Sequence, residues 1–261
     1  MFRSLWLPGI LIMLHMAFGH SSPPLSSQPH TIVKDAAVIT AADESSLSKL
    51  RKKYADTFKM QGPRTRQIAL TFDDAPDPRF TPYILDALKK NHVKATFFVV
   101  GYRAEKYPEL VKRMVQEGHT VGNHSFGHPN FNKISLKQFQ RQIVKTDLAI
   151  EKRTGYKPLL IRPPYGEISE AQLRWTRQKG YTVVNWNVDS MDWKGLNKDR
   201  ILSNVIPATG PGSIILMHAG GGTTSDLRGT IAALPPLIRT LQQKGYTFVT
   251  IPQQLDIQAH K

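Results

Sequence analysis

The stretch "IALTFDDAPDP", residues 68–78, marks the point where an apolar strand ends and charged residues begin. Its first five residues form the apolar run that is typical of a buried strand. Asp73 and Asp74 follow directly, and two prolines then prevent a simple continuation of the strand. Two adjacent carboxylates resist ionisation unless a cation or hydrogen bonds stabilise them. The stretch therefore predicts a partner for this acidic pair.

Seven strand-like segments, beginning with this one, alternate with helix-like segments along the rest of the chain. Each is a nearly continuous apolar run, which is typical of a parallel sheet covered on both faces. A (β/α) barrel and an open doubly wound sheet both fit the pattern, and both place an active site at the carboxyl ends of the strands. The segments are residues 68–72, 95–101, 120–125, 159–166, 181–188, 213–219 and 246–251.

Ionisable side chains follow five of these strands, where a barrel or an open sheet would bring them together. Random surface polarity would rarely produce this arrangement, so the sequence predicts one convergent site. The residues, in strand order, are Asp73 and Asp74, then His124 and His128, then Arg162 with Tyr165, then Asp189 and Asp192 with the neighbouring Trp193, and finally His218.

The segment "HSFGH" places His124 and His128 four residues apart, on one helical turn or on a tight loop that imitates it. Alone, this spacing is weak evidence, because a chain with nine histidines also produces pairs that face solvent. Together with one aspartate of the acidic pair, it predicts three metal ligands and an open coordination position. Zinc suits these ligands best, and cobalt, nickel, manganese or iron also fit. The other aspartate would act as a base.

Arg162 and His218 are the candidate partners for the acid–base chemistry. Arg162 would keep the base ionised through a charge-assisted fork, although a surface pair or a helix-dipole contact is the alternative. His218 beside Asp192 would have a raised pKa, as suits a general acid near neutral pH. The alternatives are a core histidine satisfied by the backbone, and aspartates that cap the following helix.

The ordered set "TFDDAP", "HSFGH", "RPPYG", "DSMDW" and "LMH" resembles the five motifs of NodB-type polysaccharide deacetylases, carbohydrate esterase family four. The resemblance covers residues 64–252. It implies an α/β fold, a distorted (β/α) barrel of about seven strands. It also implies a divalent metal, usually zinc, and removal of N-acetyl groups from GlcNAc polymers.

The resemblance also implies a role for individual residues. Asp73 would be the base, Arg162 would orient it, and His218 would be the general acid. The remaining implied roles are metal ligation by Asp74, His124 and His128, an oxyanion-binding N–H at Tyr165, tuning of the acid by Asp192, and substrate contacts from Trp193, Leu216 and Pro164.

Two positions depart from the family pattern. Ala75 stands where the family has Gly, which would cost on the order of 1 kcal/mol if the position requires a positive φ. Ala219 replaces the usual acidic residue after the final histidine. Neither change removes a group that the chemistry needs, so we expect an active enzyme.

The expected reaction is hydrolysis of an N-acetyl amide on peptidoglycan, at GlcNAc or MurNAc, or on a chitin-like polysaccharide. Two alternatives remain open. One is an acetyl-xylan esterase that uses the same site, and the other is a wall-glycan-binding protein that has lost catalysis. The basic residues form no stripe interleaved with aromatic residues, so nucleic acid is not expected as a partner.

The first residues predict export. Arg3 precedes a short apolar run and a small-residue cleavage pattern, which is typical of a signal peptide at residues 1–19, with an uncleaved membrane anchor as the alternative. Residues 20–63 read as a spacer with a helix near 43–60, and residues 64–261 as the catalytic domain.

The net charge of +15 suits association with an anionic wall or membrane surface, and the absence of cysteine excludes disulfides. We expect a secreted or wall-associated monomer.

Overall fold

Parallel strands form the centre of the fold, as the continuous apolar segments predict. The computed structural model describes residues 41–261, and in this part of the chain nine strands pair into one sheet. The strands are β1 (Phe58–Lys59), β2 (Gln67–Ala75), β3 (Thr96–Val99), β4 (Thr120–Asn123), β5 (Leu160–Ile161), β6 (Thr182–Val184), β7 (Val188–Asp189), β8 (Ile214–His218) and β9 (Thr247–Phe248). Their order is β1-β6-β5-β4-β3-β2-β8-β7, and β9 pairs with the start of β2.

Helices connect the strands and cover the sheet. They are α1 (Ala41–Lys53), α2 (Thr81–Lys90), α3 (Gly101–Lys106), α4 (Pro108–Gln116), α5 (Leu136–Thr154), α6 (Glu170–Gln178), α7 (Lys198–Val205), α8 (Arg228–Gln243) and α9 (Ile251–Leu255). Within residues 41–261, no helix combines the length and the apolarity that crossing a bilayer requires.

The connection between β6 and β7 closes the sheet into a distorted barrel. β6 pairs with β5 near one end of the strand order, whereas β7 pairs with β8 at the other end. Only residues 185–187 separate the two strands, and so short a connection spans at most about 14 Å. The sheet must therefore curl until its ends approach, which confirms the predicted barrel. The segment over residues 181–188, predicted as a single strand, instead contains β6, the connection at residues 185–187 and the first residue of β7.

β2 is the central strand, and its burial explains why its sequence is continuously apolar. It pairs with β3 on one side and with β8 on the other, and Leu70 and Phe72 are fully buried. The Phe72 ring stacks on Phe97 of β3, with ring centroids 5.1 Å apart. Apolar faces of α2 and α8 complete this core cluster. The carboxyl end of β2 is therefore held firmly in the middle of the barrel rim.

The helix predicted near residues 43–60 is shorter than expected, because α1 ends at Lys53 and β1 follows. Phe58 fits helical spacing in the sequence, but it pairs with Val183 of β6 and is buried in a second apolar cluster with Phe131 and Phe139. α1 and β1 belong to the same compact unit as the other elements. The signal peptide predicted at residues 1–19 and the first half of the spacer lie outside the described residues.

We predict that Phe58→Ala lowers the free energy of unfolding by about 3–5 kcal/mol, because it removes a fully packed ring from this second cluster. Chemical denaturation monitored by circular dichroism would measure the loss. Tyr83→Ala, at an exposed aromatic position, is the control and should change stability by less than about 0.5 kcal/mol. A negligible effect of Phe58→Ala would show that residues 54–59 are not part of the barrel core.

Candidate active site

The carboxyl ends of the strands bring the predicted polar residues to one rim of the barrel. Asp73 and Asp74 lie at the end of β2, and Asp73 is in register with His218 at the end of β8. Ion-pair contacts join Asp73 to Arg162 and to His124, so the ends of four strands meet at this carboxylate. The convergence inferred from the sequence is therefore present in the fold.

Arg162 is fully buried and is the cation beside Asp73. One guanidinium nitrogen, Nη1, donates to Asp73 Oδ1 at 2.9 Å and to Thr71 Oγ1 at 2.7 Å. The other donors bind the carbonyls of Val184 at 2.9 Å and Asn185 at 3.2 Å. The predicted two-pronged fork onto the carboxylate is thus reduced to a single contact, because backbone carbonyls occupy the remaining donors. Complete burial also rules out the surface-pair alternative.

Apolar packing isolates this ion pair from water. The Phe98 ring lies 4.2 Å from the Arg162 guanidinium carbon, and the Trp186 ring lies 5.6 Å from it. Burial raises the pKa of Asp73 above its ordinary value, and the positive charge of Arg162 opposes that rise. The result is a desolvated carboxylate with a fixed orientation, which is a suitable arrangement for a base.

Asp74, His124 and His128 form the candidate metal centre. Asp74 Oδ1 lies 3.3 Å from His128 Nε2 and 3.9 Å from His124 Nε2, and one atom from each residue lies within 4.8 Å of the others. Ligands about 2.1 Å from a tetrahedral zinc ion are about 3.4 Å apart, so the three atoms are close to the spacing of a filled site. An imidazole–imidazole–carboxylate set also matches the chemistry of zinc and its neighbours in the first transition row.

A hydrogen bond behind His124 orients its ring toward this centre. Its Nδ1 lies 2.8 Å from the carbonyl oxygen of Arg162, which leaves Nε2 facing Asp74. Burial and the neighbouring His128 lower the pKa of His124 to about 3. The ring is therefore neutral at physiological pH, as a metal ligand must be.

The "HSFGH" segment is a tight loop rather than a helical turn. Ser125 and His128 both have left-handed backbone conformations, with φ of 65° and 57°. Asn123 Oδ1 accepts the Ser125 N–H at 2.9 Å, and Ser125 Oγ accepts the His128 N–H at 2.9 Å. These two bonds fix the loop so that both imidazoles face the same point.

Ala75 is not strained, because the positive φ at this bend belongs to its neighbour. Asp74 has a φ of 62°, whereas Ala75 is buried within β2 without one. Aspartate tolerates the left-handed region better than most residues. Of the two aspartates, only Asp74 belongs to the candidate ligand set with both histidines. The departure from the family's Gly is therefore harmless to the backbone.

Asp192 holds His218 through two contacts. His218 Nδ1 lies 2.8 Å from Asp192 Oδ1, and the His218 backbone N–H donates to Oδ2 at 2.9 Å. Thr230 Oγ1 also donates to Oδ2, at 2.8 Å. Although burial opposes the protonated form, the Asp192 charge raises the pKa of His218 to about 9. His218 is thus a protonated histidine paired with a carboxylate, not one satisfied only by the backbone.

The predicted substrate contacts differ in their exposure. The Trp193 ring is 43% exposed and the Tyr165 ring is 53% exposed, so both can meet a ligand at the rim. The edge of Tyr165 contacts the His128 ring, with centroids 5.0 Å apart. Leu216 is nearly buried in β8, and Pro164 is buried in its turn, so each offers little surface.

An ion-pair cluster that the sequence reasoning missed fixes the loop after His218. Asp77 pairs with Arg79 at 2.7 Å and with Arg103 at 3.0 Å. The two arginines also donate to the carbonyls of Gly221 and Gly222. Burial alone would raise the pKa of the Asp77 carboxyl, but the contacts with the two arginines outweigh this effect and lower the pKa. Asp77 belongs to the opening stretch, but only the folded chain shows its distant partners.

Gly220 lets this loop pass close to Asp74 of the candidate metal centre. A Cβ at this position would lie 2.2 Å from the Asp74 carbonyl oxygen, a distance that no side chain can accommodate. Gly220 is therefore a packing requirement, beyond the flexibility that "AGGG" suggests in the sequence. Asp189 is a further carboxylate near His218, and burial raises its pKa.

A barrel rim that joins three candidate metal ligands to an arginine-held carboxylate and a carboxylate-held histidine is typical of a hydrolase. The family model for polysaccharide deacetylases matches residues 61–184. A peptidoglycan-N-acetylglucosamine deacetylase of Bacillus cereus is 48% identical over 202 residues, which cover 77% of this chain and 72% of the relative. The chain belongs to the polysaccharide deacetylase family, which confirms the resemblance read from the five motifs.

Two further similarities extend this assignment. A solved peptidoglycan N-acetylglucosamine deacetylase in complex with an N-hydroxybenzamide compound has a TM-score of 0.79 and 44% identity, and it covers 82% of this chain and 99% of its own. The peptidoglycan-N-acetylmuramic acid deacetylase PdaC of Bacillus subtilis is 43% identical over 199 residues. Those residues cover 76% of this chain and 41% of PdaC, so the similarity spans about two fifths of that relative.

We predict that apo protein binds one zinc ion and that His128→Asn weakens this binding by about 100-fold, because it removes one of three ligands. Isothermal titration with zinc would measure the affinity. His92→Asn is the matched control, because His92 also has a positive φ, of 54°, but lies outside the ligand set. Equal zinc affinities for the two variants would contradict the assignment of His128.

Proposed function

We propose that this chain removes N-acetyl groups from GlcNAc residues of peptidoglycan and releases acetate. The observation that carries the proposal is the position of Asp73, which is held by Arg162 next to Asp74, His124 and His128 and is in register with His218. The substrate class is supported by the names of the similar deacetylases, which act on peptidoglycan.

A divalent cation would be held by Asp74, His124 and His128, and zinc suits these ligands best, with Co²⁺, Ni²⁺ or Mn²⁺ as alternatives. Such an ion would act as a Lewis acid and would make a bound water easier to deprotonate. The neutral state of His124 and its hydrogen bond to the Arg162 carbonyl support this role for the three residues.

Asp73 and His218 would carry the proton transfers. Asp73 accepts a proton from the water that attacks the acetyl carbonyl carbon, and its buried position favours that transfer because the ionised form is poorly solvated. His218 then donates a proton to the amide nitrogen as the C–N bond breaks. The products are acetate and a free amino sugar, and Arg162 holds Asp73 in position throughout.

Groups around this centre would bind the acetyl group and the sugar. The backbone N–H of Tyr165 would donate to the oxyanion, since the left-handed conformation of that residue sets its peptide at the turn next to His128. Leu216 would lie beneath the acetyl methyl, and the exposed Trp193 ring would stack on a sugar ring. Pro164 would contribute by shaping the turn that carries Tyr165.

Export follows from this substrate, because peptidoglycan lies outside the cytoplasmic membrane. The signal-like residues 1–19 support a secreted or wall-associated location, and an uncleaved membrane anchor is the alternative. The proposed enzyme acts as a monomer, because every proposed catalytic group comes from one chain.

Release of acetate from purified peptidoglycan by zinc-loaded protein tests this function. We predict turnover on peptidoglycan and on chitooligosaccharides, and none by the metal-free protein. Mass spectrometry of digested peptidoglycan would show whether GlcNAc or MurNAc loses its acetyl group. Faster release from acetylated xylan would instead support the esterase alternative, and glycan binding without acetate release at any metal would support an inactive wall-binding protein.

The pH dependence of kcat/KM tests the role of His218. Because its folded-state pKa is raised to about 9, the protonated acid is present below that pH and is lost as the pH rises through it. We predict an alkaline limb near pH 9 that moves toward the ordinary histidine value of about 6.5 in Asp192→Asn. An unchanged alkaline limb in that variant would contradict the assignment of His218 as the acid.

A further inference from the structure

A cleft of about 630 Å³ lies between α1 and the segment over residues 55–62, on a side of the barrel that supplies no catalytic residue. Its lining contains none of the residues assigned to the active site. Cations contribute four of the ten lining residues, and none of the ten is acidic. The cations are Lys49, Arg51, Lys52 and Lys59.

Among residues 47–261, the four cations of the cleft have no carboxylate partner. Arg51 donates only to the sulfur of Met60, at 3.8 Å, and Lys59 donates to the carbonyl of Ala55. Four positive groups facing one cavity repel one another, and an anionic ligand would relieve that repulsion. The cleft is therefore complementary in charge to a polyanion.

Contacts away from the cleft join α1 and the residue after it to the barrel. Lys53 pairs with Glu170 at 2.7 Å, and the Tyr54 hydroxyl donates to the same carboxylate at 2.9 Å. Leu47 and Leu50 pack on the second apolar cluster, which contains buried Phe58. The helix is thus docked on the barrel by one face, so the backbone positions that carry the cations are set before any ligand binds.

We propose that this cleft binds the phosphodiester chain of a linear anionic polymer. Lysine and arginine bind phosphate oxygens through charge-assisted hydrogen bonds, and a flexible chain can enter a concave cleft that a flat bilayer surface cannot. Nucleic acid is disfavoured, because the aromatic residue in the lining, Phe58, is buried and cannot stack on a base.

The cleft would act as a second attachment point for the polymer, in addition to the active site. Binding a repeating polymer there would keep the enzyme near a solid substrate and raise the effective concentration of acetylated sugars at the rim. This inference goes beyond the proposed function, since it concerns residues that take no part in acetate release.

Binding of the full chain to soluble poly(glycerol phosphate), measured by fluorescence anisotropy over a range of salt concentrations, tests the proposal. The triple variant Lys49→Gln, Arg51→Gln, Lys52→Gln should bind about tenfold more weakly at low salt. Its slope of log affinity against log salt should also fall by about 2, because three phosphate contacts are lost. Acetate release from soluble chitotetraose should not change.

A matched triple variant separates a specific cleft from general attraction to a basic protein. Lys90→Gln, Arg239→Gln, Lys244→Gln removes the same charge from exposed positions elsewhere and should bind the polymer as the unchanged protein does. Equal losses in both triple variants would overturn the proposal, as would binding to phosphatidylglycerol vesicles or single-stranded DNA without binding to the polymer. Because chitotetraose turnover is measured in parallel, failure of the cleft is distinguishable from failure of the proposed catalysis.

Discussion

The buried pair of Arg162 and Asp73 is the constraint on which the rest of the site depends. The guanidinium donates to Asp73 and Thr71 in β2 and to carbonyls at the end of β6, while the Arg162 carbonyl binds His124. One residue thereby ties three strands together and orients both the candidate base and a candidate metal ligand. Removing one partner of a buried ion pair costs about 3–5 kcal/mol, so fold and site are coupled at this position.

The adjacent aspartates of the opening stretch can take different roles because the backbone bends between them. Asp73 is in register with His218 in the sheet, whereas the left-handed Asp74 joins the two histidines. Two like charges at the end of a buried strand are then each compensated separately, one by a buried arginine and the other by a site suited to a cation. Gly220 packs directly against the Asp74 carbonyl at this bend, and Arg103, which pairs with Asp77, donates to the next residue of that loop.

The sequence predicted the barrel and the residues of the rim because both depend on local patterns. Continuous apolar segments indicate parallel strands, and polar residues at their carboxyl ends indicate where a site forms. The same reasoning placed Phe58 in a helix, because spacing along the chain cannot show that Val183 is its partner. It also missed the ion pairs of Asp77 with Arg79 and Arg103 and the hydrogen bonds from both arginines to the loop after His218, since contacts between distant segments leave no periodic signal.

Zinc affinity and acetate release, determined on the same preparations of Asp73→Asn and Asp74→Asn, would show whether the two adjacent carboxylates have different roles. We predict that Asp73→Asn binds zinc as tightly as the unchanged protein but releases acetate about 10²–10⁴-fold more slowly. Asp74→Asn should lose zinc affinity together with activity. Loss of zinc binding in Asp73→Asn, or unchanged acetate release by it, would show that Asp73 and Asp74 do not have separate roles as base and metal ligand.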